Sequence, residues 1–237
     1  AMSITGTDKE NPVKSGIPIA DLGAGLYAVI GILSAIQSRE KNDSGEHVDI
    51  SMLDTQVSLL TYMATMHFLS GENPEPIGNQ HMNHVPFNSY RTLDGFIQIG
   101  VVAEDFWPSL IEALDLRQLD TEENKVRIGR LKNRENIDEA LQEVFITNTT
   151  EHWLKILQEH RVPCGPINTL SETFEDADLL KRNMIVEVLQ DSGTSVKMPG
   201  NPVKISNHDE EFRRSPKLGE HTAEIFKNWL NKDISVD

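Results

Sequence analysis

Residues 78–100, GNQHMNHVPFNSYRTLDGFIQIG, restrict the fold of this chain more than any other stretch. Two β-prone runs, 85–91 and 96–102, are joined by a connection centred on Leu93-Asp94-Gly95, and a link that short reads as an antiparallel hairpin. Gly95 is expected to give the turn a positive φ. Ahead of the hairpin, residues 78–84 carry only small, amide and imidazole side chains apart from Met82. Such a segment cannot fill a core, and it is expected as an exposed polar loop at the mouth of a rigid hairpin, where binding residues are commonly presented. A solvated loop without a ligand is the competing reading.

The other long constraint is the apolar run 17–36, IPIADLGAGLYAVIGILSAI, close to the roughly 20 residues that span a bilayer. It contains Asp21 and is rich in glycine and alanine rather than leucine, so it is expected as a buried helix of a soluble protein. Pro18 suits the first helical turn. Ala20, Ala24, Ala28, Gly31 and Ala35 form a small-residue stripe that lets a neighbouring helix or subunit approach closely. A short strand is expected at 46–50, then a helix to about Ser70, capped by Ser51 and carrying its apolar face on Leu53, Val57, Leu60, Ala64 and Phe68.

Beyond the hairpin, helices are expected at 106–116, 137–145, 151–160 and 171–183, with 127–136 as a charged connector and 162–167, VPCGPI, as a tight loop. Residues 185–189 and 195–198 pair as a second hairpin, 199–218 run extended, and a helix follows at 220–230. A strand between long helices gives an α/β class.

With 22 Lys and Arg against 37 Asp and Glu, the net charge of −15 argues against nucleic acid or an anionic membrane as a general partner. The single Cys164 excludes an internal disulfide and a multi-Cys zinc site, which fits a reducing, cytoplasmic compartment. His81 and His84 lack a carboxylate at a telling spacing, so no metal is expected. Cys164 lies between prolines without a recognisable base, Glu104 and Asp105 read as solvated acids, and Glu220 reads as a capping charge.

Taken in order, PVKSGIPIADLGAGLYAVIGILSAI, HVDISMLD, GNQH…VPFNSYRTLDGFIQIG, VPCGPINTLSE and LGEHTAEIF resemble the class III CoA-transferase family, the CaiB/BaiF group that includes formyl-CoA transferase, carnitine CoA-transferase and α-methylacyl-CoA racemase. The resemblance implies an α/β chain made of the second part of a Rossmann-like large domain (1–71), a small α+β domain (72–190) and a strap with a helix returning to the large domain (191–237), joined by extended linkers. It implies a C-terminal fragment whose nucleophilic aspartate lies upstream, so no catalytic residue is assigned here, and neither Asp8 nor Asp21 takes that role. The expected activity of the full-length enzyme is transfer of CoA between an acyl-CoA and a carboxylic acid through an aspartyl intermediate, with a racemase or a non-catalytic assembly module as alternatives. The substrates are CoA or acyl-CoA and an acid, no cofactor is permanently bound, and a homodimer is expected. The polar loop becomes the lid of the site, with Gly78, Asn79, Gln80, His81, Asn83 and His84 as the substrate-binding candidates. Racemases of the group carry an acid where this chain has Ala103, which favours transfer, although Glu104 stands next to it.

Overall fold

Strand β1 (Phe87–Arg91) pairs antiparallel with β2 (Phe96–Gly100), Phe87 opposite Gly100 and Arg91 opposite Phe96. This register puts Tyr90 and Ile97 side by side on the buried face together with Ile99, while Arg91 and Phe96 stay exposed. Gly95 does not adopt a positive φ. Its lack of a side chain matters for another reason: a Cβ there would come 3.3 Å from Thr150 Oγ1. The turn is closed instead by Thr92, whose N–H donates to Gly95 O and whose hydroxyl accepts from the Gly95 N–H, both at 3.0 Å.

The computed structural model describes residues 1–232, and the last five residues of the expected 191–237 segment lie outside them. Packing separates two units, Ala1–Ile167 and Asn168–Asp237. In the first, the hairpin gains a third strand, β3 (Cys164–Pro166), which pairs antiparallel with β2. The expectation of a tight loop at 162–167 is therefore corrected. Proline is tolerated there because an edge strand needs only one of its two rows of hydrogen bonds.

Four helices accompany this sheet: α6 (Arg134–Phe145) packs on β1 and α7 (Thr150–Glu159) on β2 and β3, with α4 (Phe106–Leu114) against α7 and α5 (Arg127–Lys132) against α6. Helical spacing brings Trp107, Leu110, Ile111 and Leu114 of α4, Ile137, Leu141 and Phe145 of α6, and Trp153 and Leu157 of α7 into one apolar cluster. Each such side chain contributes roughly 1.5–3 kcal/mol by leaving water. Trp153 also donates Nε1–H to Phe145 O at 2.9 Å with the two rings edge to face, 5.6 Å apart. Thr149 caps α7, its hydroxyl accepting from His152 N–H at 3.3 Å.

The charged connector expected at 127–136 is two helices, and Arg130 in it is 1% exposed. Its Nε donates to Val85 O at 2.8 Å, Nη1 to Asn124 O at 2.9 Å and Lys125 O at 3.3 Å, and Nη2 to Glu104 Oε2 at 2.7 Å. The Trp107 ring lies 5.3 Å from the guanidinium carbon. Charge and fork are thus both answered inside the fold.

The N-terminal part holds α1 (Ile19–Asn42), α2 (Met52–Leu59) and α3 (Tyr62–Ser70). Ser51 caps α2 as expected, accepting from Asp54 N–H at 3.3 Å. The helix breaks at Thr61, whose φ is 47°. Residues 46–50 form no strand ladder. The stripe on α1 works as a close-approach surface: a Cβ on Gly23 would sit 3.0 Å from Thr55 Cγ2, and one on Gly31 would sit 2.8 Å from Val48 Cγ1. Yet α1 buries only Gly23, leaving Leu26 and Leu33 more than 60% exposed, and the expected inward face of α2–α3 exposes Leu53, Val57 and Phe68. The expectation of a buried helix is corrected for this chain. An all-round apolar helix needs cover on two sides, and only one is covered here. By length and composition alone α1 could also cross a membrane.

In the second unit, α8 (Leu170–Glu175) begins with a capping box of Thr169 and Glu172, and α9 (Ala177–Lys181) leads into the hairpin β4 (Ile185–Leu189) and β5 (Ser195–Pro199). Gly193 turns that hairpin at φ +78°. Arg214 contacts Asp191 and pairs with Glu220 at 2.6 Å just before α10 (Thr222–Leu230), so Glu220 serves an ion pair rather than a helix cap. Both sheets among the described residues are antiparallel.

Replacing Arg130 with Met should cost about 3–5 kcal/mol, because the carbonyls of Val85, Asn124 and Lys125 lose their donor together. Urea unfolding monitored by Trp fluorescence measures it; a loss below about 1 kcal/mol would contradict the account.

Candidate functional site

The loop 78–84 is fixed at several points along its length. Gly78 has φ +62°, a conformation that suits glycine, and its N–H donates to Gly6 O at 2.8 Å. Asn79 Nδ2 donates to Ser89 Oγ on β1 at 2.6 Å. Gln80 Nε2 donates to Asp138 Oδ2 at 3.3 Å, and Gln80 Oε1 accepts from Arg134 Nη1 at 3.3 Å. Arg134 Nη2 donates to His81 O at 2.7 Å and Arg127 Nη1 to Asn83 O at 3.1 Å.

His81 packs 4.7 Å from the His84 ring and 5.3 Å from Phe87. Its Nδ1 accepts the Asn83 N–H at 3.0 Å, which leaves the proton of the neutral ring on Nε2. Partial burial, then the neighbouring His84 and Arg134, hold its pKa below the ordinary 6.5. At neutral pH His81 is therefore an uncharged hydrogen-bond donor, suited to meet a carboxylate or carbonyl oxygen. Among the described residues no group of His, Cys, Asp and Glu is placed to hold a metal.

The candidate residues thus lie together on one loop, but by different means: Asn79 and Gln80 are tied down through their side chains, whereas Asn83 is held through its backbone. Arg127, Arg130 and Arg134 were not among the sequence candidates. Their spacing, i, i+3 and i+7, marks one helical face and was legible as such.

The remaining reactive groups are committed elsewhere. Burial opposes it, but hydrogen bonds from Arg130 and from the Arg127 N–H, with the charges of both arginines, hold Glu104 below its ordinary 4.5. A carboxylate so engaged is a poor base for proton abstraction. Burial pushes the Cys164 thiol up, away from the nucleophilic thiolate. Tyr90 is 2% exposed and donates to Asp138 Oδ1 at 2.5 Å; burial and then the Asp138 charge raise its pKa far above 10, so it stays protonated. Asp8 accepts from the side chain and the N–H of Asn11, at 2.8 and 2.9 Å, and organises a local turn.

A sequence model of CoA-transferase family III matches residues 1–222. The succinyl-CoA:glutarate CoA-transferase of Homo sapiens is 30% identical over 234 residues, covering 98% of this chain and 53% of that protein. The acetyl-CoA:oxalate CoA-transferase of Acetobacter aceti is 30% identical over 232 residues, covering 96% and 58%. The crystal structure of a CaiB/BaiF family protein from Brucella suis matches with a TM-score of 0.79 at 30% identity, over 94% of this chain and 58% of that one. The chain spans about half the length of the curated relatives it matches.

Two titrations check the electrostatics. Because folding depresses the His81 pKa, the neutral ring's contribution to stability is fully present above pH 6.5 and is lost as pH falls through the lower, folded value. Nitrogen-15 NMR should show the Nε2–H tautomer at pH 7 and a midpoint below 6.5, moving up in His84→Asn. Glu104 likewise stabilises the fold fully above its unfolded value near 4.5 and loses that contribution as pH falls through its depressed folded value. Glu104→Gln should flatten the acid limb of a stability profile, and an unchanged limb would remove the ion pair from the account.

Proposed function

The chain belongs to CoA-transferase family III, and on that premise we propose that the whole protein moves CoA from an acyl-CoA thioester to a free carboxylic acid. The observation that carries the reading is the family match along residues 1–222, supported by relatives named as CoA-transferases that align along nearly all of the chain. Dicarboxylic acids of the succinate and glutarate kind are the proposed substrate class, since a relative named for them aligns across 98% of this chain.

The proposed reaction is covalent catalysis by an aspartate outside this chain. Its carboxylate attacks the donor thioester, expelling CoA thiolate and forming a mixed anhydride. The thiolate then attacks the aspartyl carbonyl and releases the donor acid, leaving an aspartyl-CoA thioester. The acceptor carboxylate attacks that thioester, expels the thiolate again, and the thiolate takes the acceptor acyl group. Atoms balance without metal or redox partner. Within this chain the loop 78–84 is the part proposed to meet the substrate, with neutral His81 donating Nε2–H to a carboxylate or acyl oxygen and Asn83 and His84 beside it. The exposed apolar sides of α1 and α2–α3 are proposed to be covered in the whole protein by the rest of the Rossmann-like large domain to which they belong and by a second copy in a homodimer.

The full-length protein, supplied with succinyl-CoA and a panel of acids, should form the acceptor's CoA ester, read by mass spectrometry. His81→Ala should raise the acceptor KM about tenfold, the worth of one hydrogen bond to a charged group. Hydrolysis of succinyl-CoA without acceptor ester would sink the transferase reading. Turnover by residues 1–237 alone would sink the outside nucleophile.

A further inference from the structure

The proposed substrate loop is gripped at one side chain by a pair of opposite charges. Arg134 and Asp138 stand one helical turn apart on α6, on the same face. Between them lies the Gln80 amide, its oxygen 3.3 Å from Arg134 Nη1 and its nitrogen 3.3 Å from Asp138 Oδ2. A carboxamide has an acceptor end and a donor end, so a cation on one side and an anion on the other admit a single orientation. Turning the amide over would set each end against a partner of its own polarity.

The grip is itself fixed in the fold. Asp138 accepts from the buried Tyr90 hydroxyl at 2.5 Å and from Asn88 Nδ2 at 3.4 Å, both on β1. Arg134 extends it to the next residue through Nη2, 2.7 Å from His81 O. Helix, strand and loop therefore meet at Gln80. The side chains of Asn83 and His84, by contrast, form no hydrogen bond among the described residues.

We propose that Arg134 and Asp138 are positioning residues that latch the loop 78–84 through both ends of the Gln80 amide, so that Gln80 anchors the loop while His81, Asn83 and His84 face substrate. The placement of substrate at this loop rests on the function proposed above; the latch does not. Latching fixes the His81 ring through its own carbonyl, and a pre-ordered loop binds its ligand without first losing conformational freedom.

Two substitutions attack the latch from opposite sides: Arg134→Gln removes the cation, and Gln80→Leu, close to the same shape, removes both ends of the amide that Arg134 and Asp138 hold. Hydrogen–deuterium exchange on the full-length protein should show the amides of 79–84 exchanging about tenfold faster in both, the factor one charge-assisted hydrogen bond is worth, with hairpin 87–100 unchanged. In the same variants kcat/KM for the acceptor acid should fall about tenfold, chiefly through KM. Arg134→Lys, with one compact ammonium in place of the fork, should fall between wild type and Arg134→Gln. Unchanged exchange in both variants overturns the latch, and so does acceleration that spreads through the hairpin. Faster loop exchange with an unchanged acceptor KM overturns the positioning role. Absence of transferase activity in the wild type overturns the proposed reaction alone, and exchange then decides the latch.

Discussion

The buried guanidinium of Arg130 is the interaction on which the small folded core depends. It joins the carbonyl that ends the polar loop, the turn before α5 and the acid that follows β2, and Arg127 reinforces the junction through Asn83 O and Glu104. Buried ion pairs are not strong sources of stability in themselves, because desolvation offsets the attraction. Arg130 is different in kind, since most of its bonds satisfy backbone carbonyls that would otherwise be orphaned. Its fork determines where the chain leaves the loop, at Val85, and enters the hairpin.

The site inherits this arrangement. Arginines at 127, 130 and 134 lie along the α5–α6 segment, one turned into the core and the other two onto the backbone of the loop. Two consecutive helices thus hold both the fold and the loop, which is why a polar, core-poor segment keeps a definite conformation. His81 is neutral for the same reason: partial burial and the adjacent His84 and Arg134 all disfavour its charged form. In a chain carrying a net charge of −15, the arginines of this segment stand among carboxylates of their own, Glu104 against Arg130 and Asp138 one turn from Arg134.

Much of the fold was legible. The hairpin, the second hairpin, the Ser51 cap and the helices rich in Trp, Leu and Ile follow from local pattern, because period and turn chemistry act over a few residues. The misreadings share one cause. Cys164-Gly165-Pro166 became a strand because β2 offered an edge, the segment 127–136 became helical because Glu104 and three carbonyls drew Arg130 inward, and 46–50 formed no ladder because no partner strand met it. Each was decided by a partner distant in sequence. Glu104 stays exposed, as its adjacency to Asp105 suggested, but its pairing with the buried Arg130 was not legible.

For the site, the sequence by itself determined which residues stand on the loop 78–84 and, through motifs spread along the chain, the family they resemble. Composition is enough to exclude these residues from a core, and ordered motifs are enough to mark kinship. Only the tertiary structure decided what each residue does there. Gln80 and His81 are neighbours with similar polarity, yet one amide is held between Arg134 and Asp138 while the adjacent ring keeps a proton free on Nε2. That division depends on side chains more than fifty positions away in sequence, brought into hydrogen-bond range by the packing of α6 on β1. Local patterning carries no information about such distances.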